Sequence, residues 1–180
     1  MGRPHLIVVA GPPAAGKTTL ARQIAAALGL ALVCKDTLKE ALYEQLGSRD
    51  RAWSQRLGGA VIQGMYALAA DTLRAGASLV LESTFIHPDT PGELQALIAD
   101  TDARLTAIYC YATPEVLSAR YNARARSSRH PGHADQATMT PDQVVCNGWL
   151  WRPTYPGLTI EVDTTQLPVS IEAILGQLSG

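Results

Sequence analysis

Neither sign of charge is in surplus in this sequence. Fifteen Lys and Arg stand against sixteen Asp and Glu, for a net charge of −1. A general nucleic-acid binder needs an excess of positive charge to neutralise phosphates, so the balance argues against one. Cysteines are few: Cys34, Cys110 and Cys146 form no CxxC pair, which excludes a disulfide framework and a cysteine-rich zinc site and suits a reducing compartment. No apolar run approaches the length of a membrane span, and Leu6–Ala10 is too short for a signal peptide. Gly2 follows Met1, but the Ser or Thr expected for myristoylation is missing. The reading is of a cytoplasmic, membrane-free protein. With 47% hydrophobic residues in 180, the chain has material for one domain with its own core.

What is present is an alternation of strands and helices. Leu6–Ala10 is a continuous apolar run, as in a strand buried on both faces. Further strand-like runs follow at 31–34, 78–81, 105–111 and 158–162. Between them lie helical patterns. Leu20, Ile24 and Leu28 share a stripe closed by Gly29, and Leu38, Leu42 and Leu46 share another closed by Gly47. Residues 52–75 read as one long helix or two, because Gly58, Gly59 and Gly64 interrupt the pattern. Thr113-Pro114-Glu115 and Thr140-Pro141-Asp142 each carry the cap and proline of a helix start, and Ser170 is placed to cap the last helix. Such alternation implies an α/β fold with a parallel sheet covered on both faces.

One motif carries most of the functional content. Gly11-Pro12-Pro13-Ala14-Ala15-Gly16-Lys17-Thr18 fits G-x-x-x-x-G-K-[ST] in full, between a buried strand and an amphipathic helix. Glycines let backbone N–H groups approach a phosphate, and the N-terminus of the next helix faces the same anion. Gly11, Ala14, Ala15, Gly16, Lys17, Thr18 and Thr19 are therefore the expected binders of a nucleoside triphosphate. Lys17 is expected to reach the β- and γ-phosphates, and the Thr18 hydroxyl to ligate Mg²⁺.

Other residues suggest phosphoryl transfer rather than binding alone. Asp36 follows the second strand, where ligands of open parallel sheets sit, and is a candidate base; the competing reading is a helix cap. Glu82 ends the third strand and is a candidate Mg²⁺ partner; the alternative is a solvated strand terminus. Arg120, Arg124, Arg126 and Arg129 cluster around a helix end and the loop to His133, a composition suited to a lid over ATP, or else to a basic helix end favoured by the macrodipole. Trp53, Trp149, Trp151 and Tyr155 read as packing residues, with Trp149 and Trp151 also candidates to stack on a ligand.

These pieces together resemble the small P-loop kinases of the zeta-toxin, polynucleotide-kinase and chloramphenicol-phosphotransferase type. The matching segments are Gly11–Thr18, Lys35–Glu40, Glu82–Phe85 and the arginine segment ending at His133. The resemblance spans nearly the whole chain. It implies a five-stranded sheet of order 2-3-1-4-5 in a three-layer P-loop NTPase fold, one kinase domain over residues 1–180, and a lid near 120–138. It further implies ATP and Mg²⁺ as cofactors, Asp36 as base, and Arg120 and Arg124 as lid arginines. Glu82 stands where many relatives carry Asp. The expected reaction moves the γ-phosphoryl group of ATP to a hydroxyl of a small molecule. A nucleic-acid 5′-end kinase and an ATP-binding regulatory module are the alternatives.

Overall fold

The computed structural model describes residues 2–47, 49–126, 130 and 138–178. Its centre is β1 (His5–Ala10), flanked by β3 (Leu79–Glu82) and β4 (Arg104–Tyr111), with β2 (Ala31–Cys34) and β5 (Leu158–Asp163) at the edges. All pairings are parallel, and the order is β2-β3-β1-β4-β5, as the resemblance implies. Leu6, Ile7, Val8 and Val9 have no solvent exposure. That explains why β1 is written as an apolar run with no alternation.

Side chains along β1 point alternately to the two sheet faces. Ile7 and Val9 join a core with Leu20 and Ile24 of α1 (Lys17–Leu28), Leu117 of α5 (Pro114–Ala125), Val144 of α6 (Pro141–Cys146) and Ile174 of α7 (Ile171–Leu178). Leu6 and Val8 join a second core with Val61, Met65 and Leu73 of α3 (Arg51–Arg74) and Leu94 of α4 (Thr90–Thr101). Two helical layers thus sandwich the sheet, and every loop leaving a strand's carboxyl end opens on one edge of it.

Local signals account for most boundaries. Gly29 ends α1 in the left-handed region, and the Thr113 and Thr140 hydroxyls accept the N–H groups of Val116 and Gln143 at the starts of α5 and α6. Ser170 immediately precedes α7, and its hydroxyl donates to the Glu172 carboxylate at 3.0 Å. Residues 51–74 form one 24-residue helix, continuous through all three glycines. The leucine stripe of α2 (Lys35–Leu46) meets a core only at Leu38, which packs partly buried against the second one. Leu42 is 41% exposed and Leu46 57% exposed, and the buried residue of this helix is Lys39. Leucine spacing marked the helix correctly but not the face it buries.

Candidate active site

Strand β1 delivers the chain into residues 11–16, whose backbone turns through the left-handed region at Ala14 (φ 66°) and Gly16 (φ 78°) before α1 begins. Gly16 caps α1 without any side chain over its first turn, so the helix N-terminus faces open space. Gly11, at φ 134°, lies flat against β4; a Cβ there would collide with the carbonyl oxygen of Cys110. Its N–H donates to the Thr84 carbonyl at 3.0 Å, so the loop is pinned to both neighbours of β1. The left-handed turn at Ala14 has no glycine to announce it.

Lys17 is buried, and its ammonium donates to the Pro12 carbonyl at 2.7 Å. Burial holds its pKa below the usual lysine value, with Glu82, Cys110 and Asp36 pulling it back up and Arg124 pushing it down. The Thr18 hydroxyl donates to Glu82 Oε2 at 3.1 Å, and the Cys34 thiol lies 2.8 Å from the same oxygen. Glu82 is 4% exposed at the end of β3, so the solvated-terminus reading fails. Burial, followed by the charge of Glu82, raises the Cys34 thiol's pKa, keeping it protonated as a donor. A buried carboxylate beside a threonine hydroxyl at the mouth of a phosphate loop is an all-oxygen donor pair, the chemistry Mg²⁺ prefers.

Asp36 lies in the first turn of α2, whose N-cap is Cys34, so the cap reading also fails. Its carboxylate is 3.5 Å from the Lys35 ammonium. Arg120 and Arg124 lie on one face of α5, with guanidinium groups in different settings. Arg120 donates to the carbonyls of Thr164 (2.8 Å) and Thr165 (3.4 Å), just beyond β5. Arg124 lies over the Tyr121 ring, 5.8 Å from its centroid. Of the expected lid, Arg129 and His133 lie outside the described residues, while His130 sits 3.5 Å from the Glu44 carboxylate.

Two cavities meet at these residues. The smaller, about 320 Å³, is bounded by Ala14, Gly16, Thr19 and Arg120. The larger, about 640 Å³, extends the other way past Asp36, Lys39, Gly59, Glu82 and Trp149. Lys17, Thr18 and Arg124 line both. Trp149 packs on Tyr121 with centroids 5.4 Å apart while lining the larger cavity; Trp53 packs against Tyr43, and Trp151 is half exposed.

Two wall residues lie in segments that carry the resemblance, where the sequence assigned them no role of their own. Phe85 has φ 48° and keeps this costly backbone because the buried Tyr155 hydroxyl donates to its carbonyl at 2.9 Å. Lys39 was hidden because it reads as an ordinary surface lysine between Leu38 and Leu42.

The sequence matches the AAA domain family over residues 6–141. This chain belongs to that family. As an AAA domain it superposes on a candidate kinase from Chloroflexus aurantiacus with a TM-score of 0.87 at 36% identity, over 99% of this chain and 98% of that one. It also shares its fold with the APS kinase CysC of Mycobacterium tuberculosis in complex with AMPPNP and APS (TM-score 0.60, 15% identity, all of both chains). Uncharacterised proteins of Mycobacterium bovis and Mycobacterium tuberculosis are 31% identical over 128 residues, 67% of this chain. The chain spans about a quarter (26%) of the length of those curated relatives. The fold is that of the P-loop kinases. No described helix is long and apolar enough to cross a membrane.

Proposed function

We propose that this AAA domain is a kinase that transfers the γ-phosphoryl group of ATP to a hydroxyl of a small molecule. The observation that carries the reading is the meeting of two cavities at Lys17, Thr18 and Arg124. A pure nucleotide binder needs only the first, whereas a transferase must bring two reactants to one point. The similarity to the Chloroflexus aurantiacus protein over nearly its whole length agrees with this.

In this reading ATP occupies the smaller cavity, its phosphates held by the N–H groups of residues 14–19 and the start of α1. Lys17 leaves the Pro12 carbonyl for the β- and γ-phosphates. Thr18 and Glu82 hold Mg²⁺, directly or through water, which neutralises phosphate charge when bound. The acceptor fills the larger cavity with its hydroxyl at Asp36. The acceptor oxygen forms a bond to the γ-phosphorus as the bond from that phosphorus to the β,γ-bridging oxygen breaks. ADP leaves with that electron pair, and the hydroxyl proton passes to Asp36. Arg124, at the junction, stabilises charge on the transferring group, while Arg120 closes the nucleotide side and fixes α5 to the end of β5. The lid is assigned to residues 120–138 and the kinase unit to the whole chain.

The test is Asp36→Asn, assayed for ADP formation against a panel of hydroxyl acceptors. Acceptor-dependent turnover should drop about 10²–10⁴-fold with Mg-ATP affinity retained. Unchanged turnover would remove Asp36 from the mechanism, and failure of the wild type to bind Mg-ATP would remove the kinase reading.

A further inference from the structure

The larger cavity has a wall whose composition the transfer reaction does not require. Helix α2 and the start of α3 supply Lys35, Lys39 and Arg51 to it, with Asp36 as the one acid among them. Lys39 is 8% exposed, and its ammonium donates to the buried Ser54 hydroxyl at 2.8 Å. That bond ties α2 to α3 and fixes the charge in the cavity wall. Lysine seldom lies this deep, since burying an ammonium is costly. The opposite wall carries Asp89 and Glu93, and Glu93 has a donor of its own. Asp89 lies 3.4 Å from His87, and Glu93 accepts from Gln63 at 3.4 Å. The cavity is therefore polarised, with its positive end on the helix that carries Asp36.

The floor beneath these cations is Gly58-Gly59, inside the long helix α3. Glycine is the poorest helix former after proline. No neighbour demands it here: a Cβ at Gly58 would touch only the Lys35 side chain at 4.0 Å, and one at Gly59 would meet nothing within 4 Å. Both positions are bare toward the cavity, where a bound molecule gains close approach to the helix. Gly64 is bare as well, but it does not line the cavity, and nothing in the structure explains it.

From these observations we infer that the phosphoryl acceptor is an acidic alcohol, a hydroxy acid or a sugar phosphate. Its anionic group binds Lys39, Lys35 and Arg51 over Gly58-Gly59 while its hydroxyl sits at Asp36. Asp36 and Lys39 are three residues apart on one helix, so hydroxyl and anion are separated by roughly 5 Å, a few bonds. The inference rests on the kinase reading and names the acceptor class for that same site.

The experiment measures binding of matched polyols, sugar acids and sugar phosphates to wild-type protein loaded with Mg-AMPPNP, by calorimetry, together with their phosphorylation by Mg-ATP. At least one acid should bind at least about tenfold more tightly than its neutral counterpart. A sugar acid in first place identifies a carboxylate as the anion, and a sugar phosphate identifies a phosphate. Lys39→Met should abolish the preference by weakening the acid at least about tenfold more than the neutral alcohol. Gly59→Leu, at an open helical position where leucine favours the helix, should melt no lower than wild type yet lose acid binding. Equal binding of acids and neutral alcohols, or no binding of either, with Mg-AMPPNP still bound overturns the inference and leaves the kinase reading standing. Failure to bind Mg-AMPPNP overturns both.

Discussion

The Lys17 ammonium donates to the Pro12 carbonyl at 2.7 Å, so the phosphate-binding lysine is held by its own loop. Burial makes this charge expensive, and the depressed pKa reflects it. Lys17→Met should therefore melt close to wild type without nucleotide, since the charge it removes is itself costly to bury. The same variant should lose the rise in melting temperature that Mg-ATP gives the wild type. Thermal scans with and without Mg-ATP check both halves; an unchanged response to nucleotide would remove Lys17 from the phosphate site.

Glu82 is held by Thr18 on one side and Cys34 on the other. Glu82→Gln keeps the shape but removes the charge. The magnesium concentration for half-maximal turnover should rise by about 10–100-fold, while affinity for metal-free nucleotide should hold or improve, because a nearby negative charge has gone. A magnesium titration of turnover, with a parallel binding assay in chelator, separates the two effects. An unaltered magnesium requirement would return Glu82 to a purely structural part.

His5 gives the fold a pH dependence unrelated to catalysis. Its ring is buried against the Thr106 hydroxyl at 2.9 Å, and burial, then the charge of Arg104, lowers its pKa to about 4. Between about 6.5 and 4 the unfolded chain takes up a proton that the folded chain refuses. Stability should thus be undiminished by this group above pH 6.5 and should fall as the pH drops toward 4. The loss should be roughly 1–2 kcal/mol after allowing for partial screening. Denaturant titrations from pH 7 to 4 check this, and His5→Gln should flatten the slope.

Gly11→Ala tests the close contact with β4. The added methyl meets the Cys110 carbonyl and a backbone at φ 134° that alanine avoids, so stability should fall by about 3 kcal/mol or more. Gly16→Ala, at φ 78° with open space around it, should cost less, about 1–2 kcal/mol. Equal losses at the two positions would contradict the steric account.

The sequence was most readable where one physical demand dominates a segment. The unbroken apolar β1, the Gly29 stop and the Thr113 and Thr140 starts depend on local chemistry, and the structure has them where they were expected. The glycine-lysine loop was legible for the same reason. Glu82 and Asp36 could be placed at strand ends, but their surroundings could not. That Cys34 and Thr18 share one oxygen of Glu82 depends on β2 pairing with β3, a contact 48 residues apart. The leucine stripe of α2 placed the helix but not its environment: Leu38 packs on a core, while the helix turns Lys39 toward a cavity. Phe85 is strained only in the company of Tyr155, which lies 70 residues away.

Gly11 is fastened to β3 through Thr84 and laid against β4 at Cys110. The phosphate cradle is in this way a piece of the central sheet and not an appendage, and its geometry cannot outlast that sheet. Heat or denaturant will erase nucleotide affinity and fold together, with no half-melted form that still grips its ligand. Melting shifts, converted to free energy through the entropy of unfolding, then follow RT ln(1 + [L]/Kd).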